Sequence, residues 1–183
     1  AMHFVRRTGG PRGWRPRDGN WTPGRVARPL RWRAEPAPDS GALAETKTGS
    51  YPQAEVEALG YEVAHNGDGR WNGTAILSRV GLSDVQLSFA GQPGFAPDDD
   101  ALLSIPVVEA RAVGATCGGL RGWSLYVPNG RSLDSSHYPY KLEWLDRFRD
   151  AIAAEVAAGQ FVAMGDFNIA PTNDDVWDIA DFA

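Results

Sequence analysis

The sequence predicts an α/β sandwich built on antiparallel or mixed sheets, and three observations predict it. Short apolar strands are separated by turn signals, as in "WNGTAILSR" (71–79) and "RGWSLYV" (121–127). A long segment, 137–159, repeats apolar residues at the spacing of a helix that packs on a sheet. A buried strand, "QFVAMG" (160–165), follows that helix. Paired antiparallel strands combined with helices favour this class of fold.

The other elements follow in chain order. The stretch "SYPQAEVEALG" (50–60) predicts a short helix, with Pro52 in its first turn and Gly60 as a left-handed cap. Strands are predicted at 61–65, 74–79, 85–89, 107–116 and 121–127, and residues 90–100 have the composition of a loop. The Gly118-Gly119 pair predicts a tight hairpin turn. Asn173 is expected to cap a final short helix over 174–182.

The long helix is the clearest prediction. Its sequence is "HYPYKLEWLDRFRDAIAAEVAAG", and Gly159 is expected to end it. An apolar stripe at three- and four-residue spacing is expected to face the sheet. Its members are Leu142, Leu145, Phe148, Ile152 and Val156.

The length, composition, net charge and cysteine count of the chain restrict the class of protein. A chain of 183 residues with 43% hydrophobic residues is expected to form one domain with a real core. Its net charge of −5 does not indicate a nucleic-acid partner, although a bound cation could offset an acidic cleft. Cys117 is the single cysteine, so the chain forms no internal disulfide. There is neither a signal peptide nor a long apolar run, which predicts a soluble, cytoplasmic protein.

Residues 1–35 differ in composition from the rest of the chain. They contain nine Arg and two acids, a charge of +7, whereas residues 36–183 carry −12, which together give −5. This Arg/Gly/Pro-rich segment shows neither helical nor strand periodicity. One interpretation is a basic arm for nucleic acid. The favoured interpretation is a disordered or non-native leader, since GC-rich codons give Arg, Gly, Pro and Trp in a wrong reading frame.

Four short motifs at the ends of predicted strands point to one site. They are "ETK" (45–47), "WNGTAILSR" (71–79), "WSLYVPNG" (123–130) and "GDFN" (165–168). Each has a plain alternative, such as a solvated Glu45 or a local turn at Asp166 and Asn168. Taken together and in this order, they favour a shared cleft at one edge of the sheets.

These motifs resemble the exonuclease III family of DNA-repair nucleases, within the endonuclease/exonuclease/phosphatase superfamily. The resemblance extends over "GYEVAHNGDGRWNGTAILSR", "EARAVGATCGGLRGWSLYVPNGR", "HYPYKLEWLDRF" and "GDFNIAPTNDDVWD", and covers most of residues 42–183. The motifs are most similar to exonuclease III proteins of GC-rich actinobacteria. The resemblance implies a four-layer α/β sandwich, two sheets between helices, and a partial domain of this type over residues 36–183.

The resemblance also implies roles for individual residues. Glu45 would bind the catalytic Mg²⁺ or Mn²⁺, and Tyr126 would lie beside the scissile phosphate. Asp166 would orient or deprotonate the attacking water, and Asn168 would help to hold the phosphate. These residue types suit phosphodiester hydrolysis, because a hard cation offsets charge, a carboxylate activates water and neutral donors hold the phosphate.

The implied partner is double-stranded DNA, especially at abasic sites and 3′ ends, bound by a monomer. Asn72 and Asn129 match family positions near the DNA strand.

The chain departs from the family pattern at both ends. The family begins with a strand that carries a metal-site Asn, for which Asn20 is a weak candidate here, and Ala44 stands where the family has Gln. The family also ends near an "SDH" motif that supplies a catalytic His, and we do not assign that role to His137. The expectation is a chain altered at its N-terminus and truncated at its C-terminus, with an incomplete second sheet.

Three functions remain open from the sequence. The first is a metal-dependent nuclease that acts on DNA at abasic sites and 3′ ends. The second is an inactive fragment that at most binds DNA, which the missing "SDH" favours. The third is a superfamily phosphatase that acts on a small phosphoester.

Overall fold

The computed structural model describes residues 2–5, 38–69, 71–96 and 105–176. Its first sheet has four antiparallel strands in the order β1-β2-β4-β3. The strands are β1 Met2–Val5, β2 Ser40–Ala44, β3 Glu62–Asn66 and β4 Thr74–Ser78. A short helix, α1 Gln53–Glu57, lies between β2 and β3 in the chain.

The second sheet is mixed and has the order β5-β6-β7-β8. Its strands are β5 Ser83–Gln86, β6 Ala112–Cys117, β7 Leu120–Tyr126 and β8 Phe161–Asp166. The first two pairs are antiparallel, whereas β7 and β8 are parallel. The long helix α2, His137–Ala158, makes the crossover that a parallel pair requires.

Apolar side chains fill three layers of core. One cluster packs α1 on the first sheet and includes Leu43, Val56 and Leu77. A second lies between the two sheets, where Ser124 Oγ also donates a hydrogen bond of 2.8 Å to the carbonyl of Leu43. The third packs α2 on the second sheet through aromatic rings, among them Trp123. Helix, sheet, sheet and helix therefore form the four-layer sandwich that the sequence predicts.

The face that α2 buries differs from the predicted stripe. Phe148 is buried as expected, but its buried partners are Tyr140 and Trp144. Leu142 and Val156, which the stripe includes, are 46% and 50% exposed. The sheet presents the rings of Trp123 and Phe89, and Phe89 meets Trp144 and Phe148 edge-on at 4.9 and 5.3 Å. Leu145 and Ile152 of the predicted stripe pack against the same core and are partly buried. The stripe is therefore confirmed at Phe148, Leu145 and Ile152, while the aromatic rings shift the most buried line of the helix toward Tyr140 and Trp144.

Three element boundaries also differ from prediction. The predicted strand at 107–116 begins only at Ala112, because residues 109–111 form an ion-paired turn described below. The predicted strand at 85–89 is β5, which lies earlier, at Ser83–Gln86. The final helix is a 3₁₀ turn, Asn173–Asp175, capped by Thr172 rather than by Asn173, and residues 177–182 of that prediction lie outside the described residues.

The N-terminal strand β1 is the element that the sequence analysis did not predict. Residues 2–5 pair with β2, which corrects the leader interpretation for that short stretch. The remainder of the predicted leader, with Asn20, lies outside the described residues, so that part stays a prediction. Within the described ranges, no helix combines the length and the apolar character needed to cross a bilayer.

Candidate active site

Four loops meet at one edge of the sandwich, and backbone hydrogen bonds join them in series. They follow β2 (45–47), precede β4 (72–73), follow β7 (127–131) and leave β8 (167–168). Thr46 N–H donates to the carbonyl of Gly73 at 3.0 Å, and Gly73 N–H donates to Ala110 at 2.9 Å. On the second sheet, Val127 N–H donates to the carbonyl of Asp166 at 2.9 Å. The four predicted motifs therefore share one edge.

The Glu45 loop is a tight turn with an unusual backbone. Glu45 and Lys47 have φ values of +58° and +50°, a region that costs energy for residues other than glycine. Thr46 between them is fully buried, and its hydroxyl lies 2.9 Å from His65 Nε2. Gly73 permits this packing, because a Cβ at that position would overlap Thr46 Oγ1. The buried Thr46 thus anchors the turn and leaves Glu45 at the surface edge.

Glu45 and Lys47 form an ion pair at the mouth of the site. The distance from Lys47 Nζ to Glu45 Oε2 is 2.6 Å, and both side chains are partly exposed. An exposed pair of this kind is weak and exchanges readily with other partners. The Glu45 carboxylate is therefore accessible to a cation, although Lys47 competes for it.

Tyr126 ends β7 between the carboxylates of the site. Burial raises the pKa of its phenol, and the charge of Glu45 raises that pKa further, as do Asp166 and Glu109, while Arg111 lowers it. Asp166 is the register partner of Tyr126 in β7 and β8, so the phenol and the predicted base leave neighbouring strand ends. The charge of Glu45 also reaches the phenol.

Asp166 and Asn168 form a side-chain-braced turn after β8. Asn168 N–H donates to Asp166 Oδ1 at 2.9 Å, and Asn168 Nδ2 donates to the carbonyl of Val127 at 2.8 Å. Asn129 Nδ2 lies 3.3 Å from Asn168 Oδ1. Asn168 has a φ of +51°, which asparagine tolerates better than most residues. The turn fixes Asp166, Asn168 and Asn129 as one unit.

The glycine before Asp166 is required by packing. Gly165 has a φ of +143°, and a Cβ there would overlap the carbonyl oxygen of Leu125 on β7. Only a glycine lets β8 approach β7 at this point and still place Asp166 at the strand end.

Asn72 takes a different place from the other predicted residues. Its side chain donates to Glu109 Oε1 at 2.9 Å, so it is bonded to the segment before β6. Glu109 in turn pairs with Arg111. The sequence analysis gives this ion pair no role, because the alternating pattern of "VVEARAVGAT" predicts a single continuous strand.

Lys141 was also missed. Its ammonium donates to the carbonyl of Asn168, and burial lowers the pKa of this lysine while the charge of Asp166 opposes that shift. The sequence gives little indication of this contact, because lysine is common at helix positions that are expected to be exposed. His137, in contrast, begins α2 and stacks on Phe95 with 4.2 Å between the ring centroids. Its exclusion from catalysis stays a prediction.

The donor set suits a hard divalent cation held by few protein ligands. Among the described residues, no three His, Cys, Asp or Glu side chains gather closely enough to bind a metal by themselves. Mg²⁺, however, commonly binds through one or two carboxylates and retains waters that substrate phosphates replace. A single accessible Glu45 carboxylate near a phenol and a second carboxylate fits that mode.

The structure is a two-sheet α/β sandwich that gathers acidic and amide side chains at one sheet edge. Residues 30–183 match the model of the endonuclease/exonuclease/phosphatase family. The chain therefore belongs to that family, whose members are hydrolases and generally use divalent metal ions. This finding confirms the family resemblance, while the likeness to actinobacterial members stays a prediction.

Solved structures of DNA-processing enzymes share this fold. The 3′ phosphatase NExo from Neisseria, bound to a product DNA hairpin, matches with a TM-score of 0.75 and 29% identity, over 90% of this chain and 60% of that one. The 3′-5′ exonuclease NExo from Neisseria meningitidis gives 0.73 and 30%, over 87% and 59%. An AP endonuclease from Archaeoglobus fulgidus gives 0.65 and 30%, over 79% and 52%. The chain thus spans about 60% of the first two matched structures and about half of the third.

Proposed function

We propose that this chain carries part of a metal-dependent nuclease site that hydrolyses DNA phosphodiesters at abasic sites and 3′ ends. The supporting observation is the gathering of Tyr126, Asp166 and Asn168 at one edge, where Tyr126 pairs with Asp166 in the strand register and Asp166 accepts the N–H of Asn168. Neutral amide donors lie beside the carboxylate of Asp166 at this edge, which suits a substrate that already carries negative charge. The similarity to DNA nucleases supports DNA as the substrate.

Asp166 is the general base in this proposal. One of its oxygens, Oδ1, accepts the N–H of Asn168, which fixes the direction of the carboxylate. The other oxygen would take the proton of the attacking water. A base held in place by its own loop loses little orientation when the substrate binds.

The two asparagines are the proposed phosphate donors. Each Nδ2 carries two hydrogens. Asn168 uses one of its own on the Val127 carbonyl, and Asn129 directs one toward Asn168 Oδ1. The remaining N–H groups, with the Tyr126 hydroxyl, would contact the phosphate oxygens. These donors add no negative charge to the site.

Glu45 is the proposed ligand for Mg²⁺ or Mn²⁺. A bound divalent ion would supply neutralisation of charge on the phosphate oxygens. Lys47 would have to leave the carboxylate oxygen with which it now pairs. A monomeric, cytoplasmic protein stays a prediction, testable by light scattering and cell fractionation.

The test compares two variants of the protein, each lacking one carboxylate, in the cleavage of a duplex with one abasic site. Asp166→Asn should lower the cleavage rate by about 100- to 10,000-fold while DNA affinity is retained. Asp150→Asn is the matched control, since Asp150 is an exposed residue of α2 that pairs with Arg149. Equal rates for the two variants would contradict the role of Asp166. DNA binding without cleavage by the unaltered chain would instead favour the alternative of an inactive fragment.

Removal of a 3′ phosphate is a second candidate, because one of the most similar structures is named as a 3′ phosphatase bound to product DNA. The same residues would hydrolyse a phosphomonoester instead of a phosphodiester. Three duplexes distinguish the candidates: one with an abasic site, one with a 3′ phosphate and one with a recessed 3′ hydroxyl. A phosphatase acting on a small phosphoester would hydrolyse none of them.

A further inference from the structure

A partly buried ion pair between Arg111 and Glu109 borders the site and has no part in the roles assigned above. Arg111 Nε donates to Glu109 Oε2 at 2.8 Å, and Arg111 Nη2 lies 3.2 Å from Glu109 Oε1. Arg111 is 8% exposed. A two-pronged pair of this kind holds both side chains in one geometry, more firmly than a single contact would.

Arg111 contacts Tyr126 in three ways. Its guanidinium carbon lies 5.0 Å from the centroid of the Tyr126 ring. Its Nη1 donates to the Tyr126 carbonyl at 3.2 Å, and its own carbonyl accepts the Tyr126 N–H at 2.8 Å. The ring and both backbone polar groups of Tyr126 therefore depend on one arginine.

Glu109 extends the same contacts to two other elements. Its carboxylate accepts from Asn72 Nδ2 at 2.9 Å and from the Tyr140 hydroxyl on α2 at 3.2 Å. Burial alone would raise the pKa of Glu109, but hydrogen bonds and charge from Arg111, with the bonds from Asn72 and Tyr140, hold it below its usual range. The carboxylate thus stays ionised and fully bonded.

We propose that the Glu109–Arg111 pair is a positioning device that fixes Tyr126 and the Asn72 turn relative to each other. The proposal rests on the proposed function of the site, in which Tyr126 would contact the phosphate. Glu109 and Arg111 act through these neighbours and are positioning residues. The first sheet supplies Asn72, the second supplies Tyr126, and the pair lies where the two loops meet.

The other end of β7 provides a matched control. There Arg121 pairs with Glu155 at 2.9 Å and lies 5.1 Å from the centroid of the Trp123 ring. Trp123 Nε1 also donates to Glu155 Oε2 at 2.6 Å. This second pair has the same chemistry and similar burial, but it lies at the opposite end of the strand from Tyr126.

The first experiment measures the environment of Tyr126 without any catalysis. The full chain is labelled with 3-fluorotyrosine, and Tyr126→Phe identifies one of the five tyrosine resonances in the ¹⁹F spectrum. Arg111→Gln should shift or split that resonance, whereas Arg121→Gln should leave it unchanged. Arg111→Lys should not restore the original signal, since lysine lacks the planar fork.

Two results would overturn the proposal. One is an unchanged Tyr126 resonance in Arg111→Gln, and the other is an equal change in Arg121→Gln. If Arg111→Gln does not fold, Tyr140→Phe removes a single hydrogen bond to Glu109 and should produce a smaller shift of the same resonance. No shift in that folded variant would also overturn it.

The second experiment links the device to turnover. Arg111→Gln should lower kcat on the abasic duplex by about 10- to 100-fold, with KM and DNA affinity little changed, because misplacement of a group costs rate rather than binding. Arg121→Gln should keep the rate of the unaltered chain. If the unaltered chain cleaves no duplex, the proposed function fails, while the fluorine spectra still decide whether the pair positions Tyr126.

Discussion

Tyr126 and Asp166 are direct partners in the register of the parallel strands β7 and β8. Residues paired in this way project to the same face of a sheet. The phenol and the carboxylate of the candidate site are therefore held side by side by backbone pairing. Their relationship depends on how closely the two strand ends approach, which makes Gly165 the first residue to test.

Gly165→Ala should destabilise the fold severely. A methyl group there would overlap the Leu125 carbonyl, and the φ of +143° is unfavourable for alanine. We expect a loss of about 3 kcal/mol or more in the free energy of unfolding, as is usual for strain combined with overpacking. Chemical denaturation followed by circular dichroism measures this loss.

Gly159→Ala separates the cost of the positive φ from the cost of the steric overlap. Gly159 has a similar φ of +133°, but nothing lies within 4 Å of the Cβ that alanine would add. It should show only the cost of the backbone, about 1–2 kcal/mol. Equal losses for the two variants would show that the overlap with Leu125 is relieved without cost.

Binding of Mg²⁺ should be weak and should depend on Glu45. Few protein ligands leave the ion mostly hydrated, so we expect a dissociation constant on the order of millimolar. Glu45→Gln should abolish the heat of binding in titration calorimetry. Lys47→Met should strengthen binding, because it frees the carboxylate from a 2.6 Å ion pair. Unchanged binding in both variants would remove Glu45 from the metal site.

Stability should fall as the pH is lowered through the range of histidine. Burial lowers the pKa of His65 below its ordinary value of 6.5, so the unfolded chain binds this proton more tightly than the folded one. The free energy of unfolding therefore decreases as the pH falls below about 6.5 and levels off below the folded pKa. Above about 6.5 this contribution is constant.

Melting temperatures at about pH 7.5 and about pH 5.5 measure the effect. His65→Gln should reduce the difference between the two temperatures, since glutamine keeps a polar partner for Thr46 without titrating. The same difference in the variant and the unaltered chain would assign the pH dependence to other groups.

Two substitutions on α2 test which face of the helix is buried. Trp144→Ala should cost about 3–5 kcal/mol, as expected for a fully buried aromatic residue that is not part of the predicted stripe. Leu142→Ala should cost less than about 1 kcal/mol, because that side chain is 46% exposed. Urea denaturation gives both values, and a larger loss for Leu142→Ala would restore the aliphatic stripe as the buried face.

Local patterns in the sequence predicted much of the fold. Runs such as 74–79 and 160–165 are short, apolar and bounded by turn residues, and they became strands with nearly the expected limits. The hairpin at Gly118-Gly119 formed as predicted, with both residues at positive φ. These features depend on residues close in the chain, which is why periodicity reveals them.

The errors arose where distant residues decide the structure. The side of α2 that is buried depends on Phe89 and Trp123, which belong to the second sheet. The strand predicted at 107–116 begins late, at Ala112, because Glu109 is bonded to distant partners that include Asn72 and Tyr140. Strand β1 is visible only through its pairing with β2.

Motifs in the sequence indicated the residues of the candidate site, but they did not indicate the hydrogen bonds between those residues. The motif "GDFN" indicated Asp166 and Asn168, whereas the bond between Asn168 and Asn129 became visible only in the folded chain. Likewise, Lys141 has no motif of its own, and only the close approach of α2 to the loop after β8 places it near Asp166.

The parallel pairing of β7 with β8 across α2 also has a kinetic consequence. Such pairings join residues far apart in sequence, and folds rich in them acquire their final contacts slowly. During synthesis on the ribosome, the Glu45 turn emerges when most of the chain, including α2 and β8, has still to be made. Asp166 can join Tyr126 only after α2 has been synthesised and has docked. We therefore expect this edge of the molecule to be among the last parts to mature.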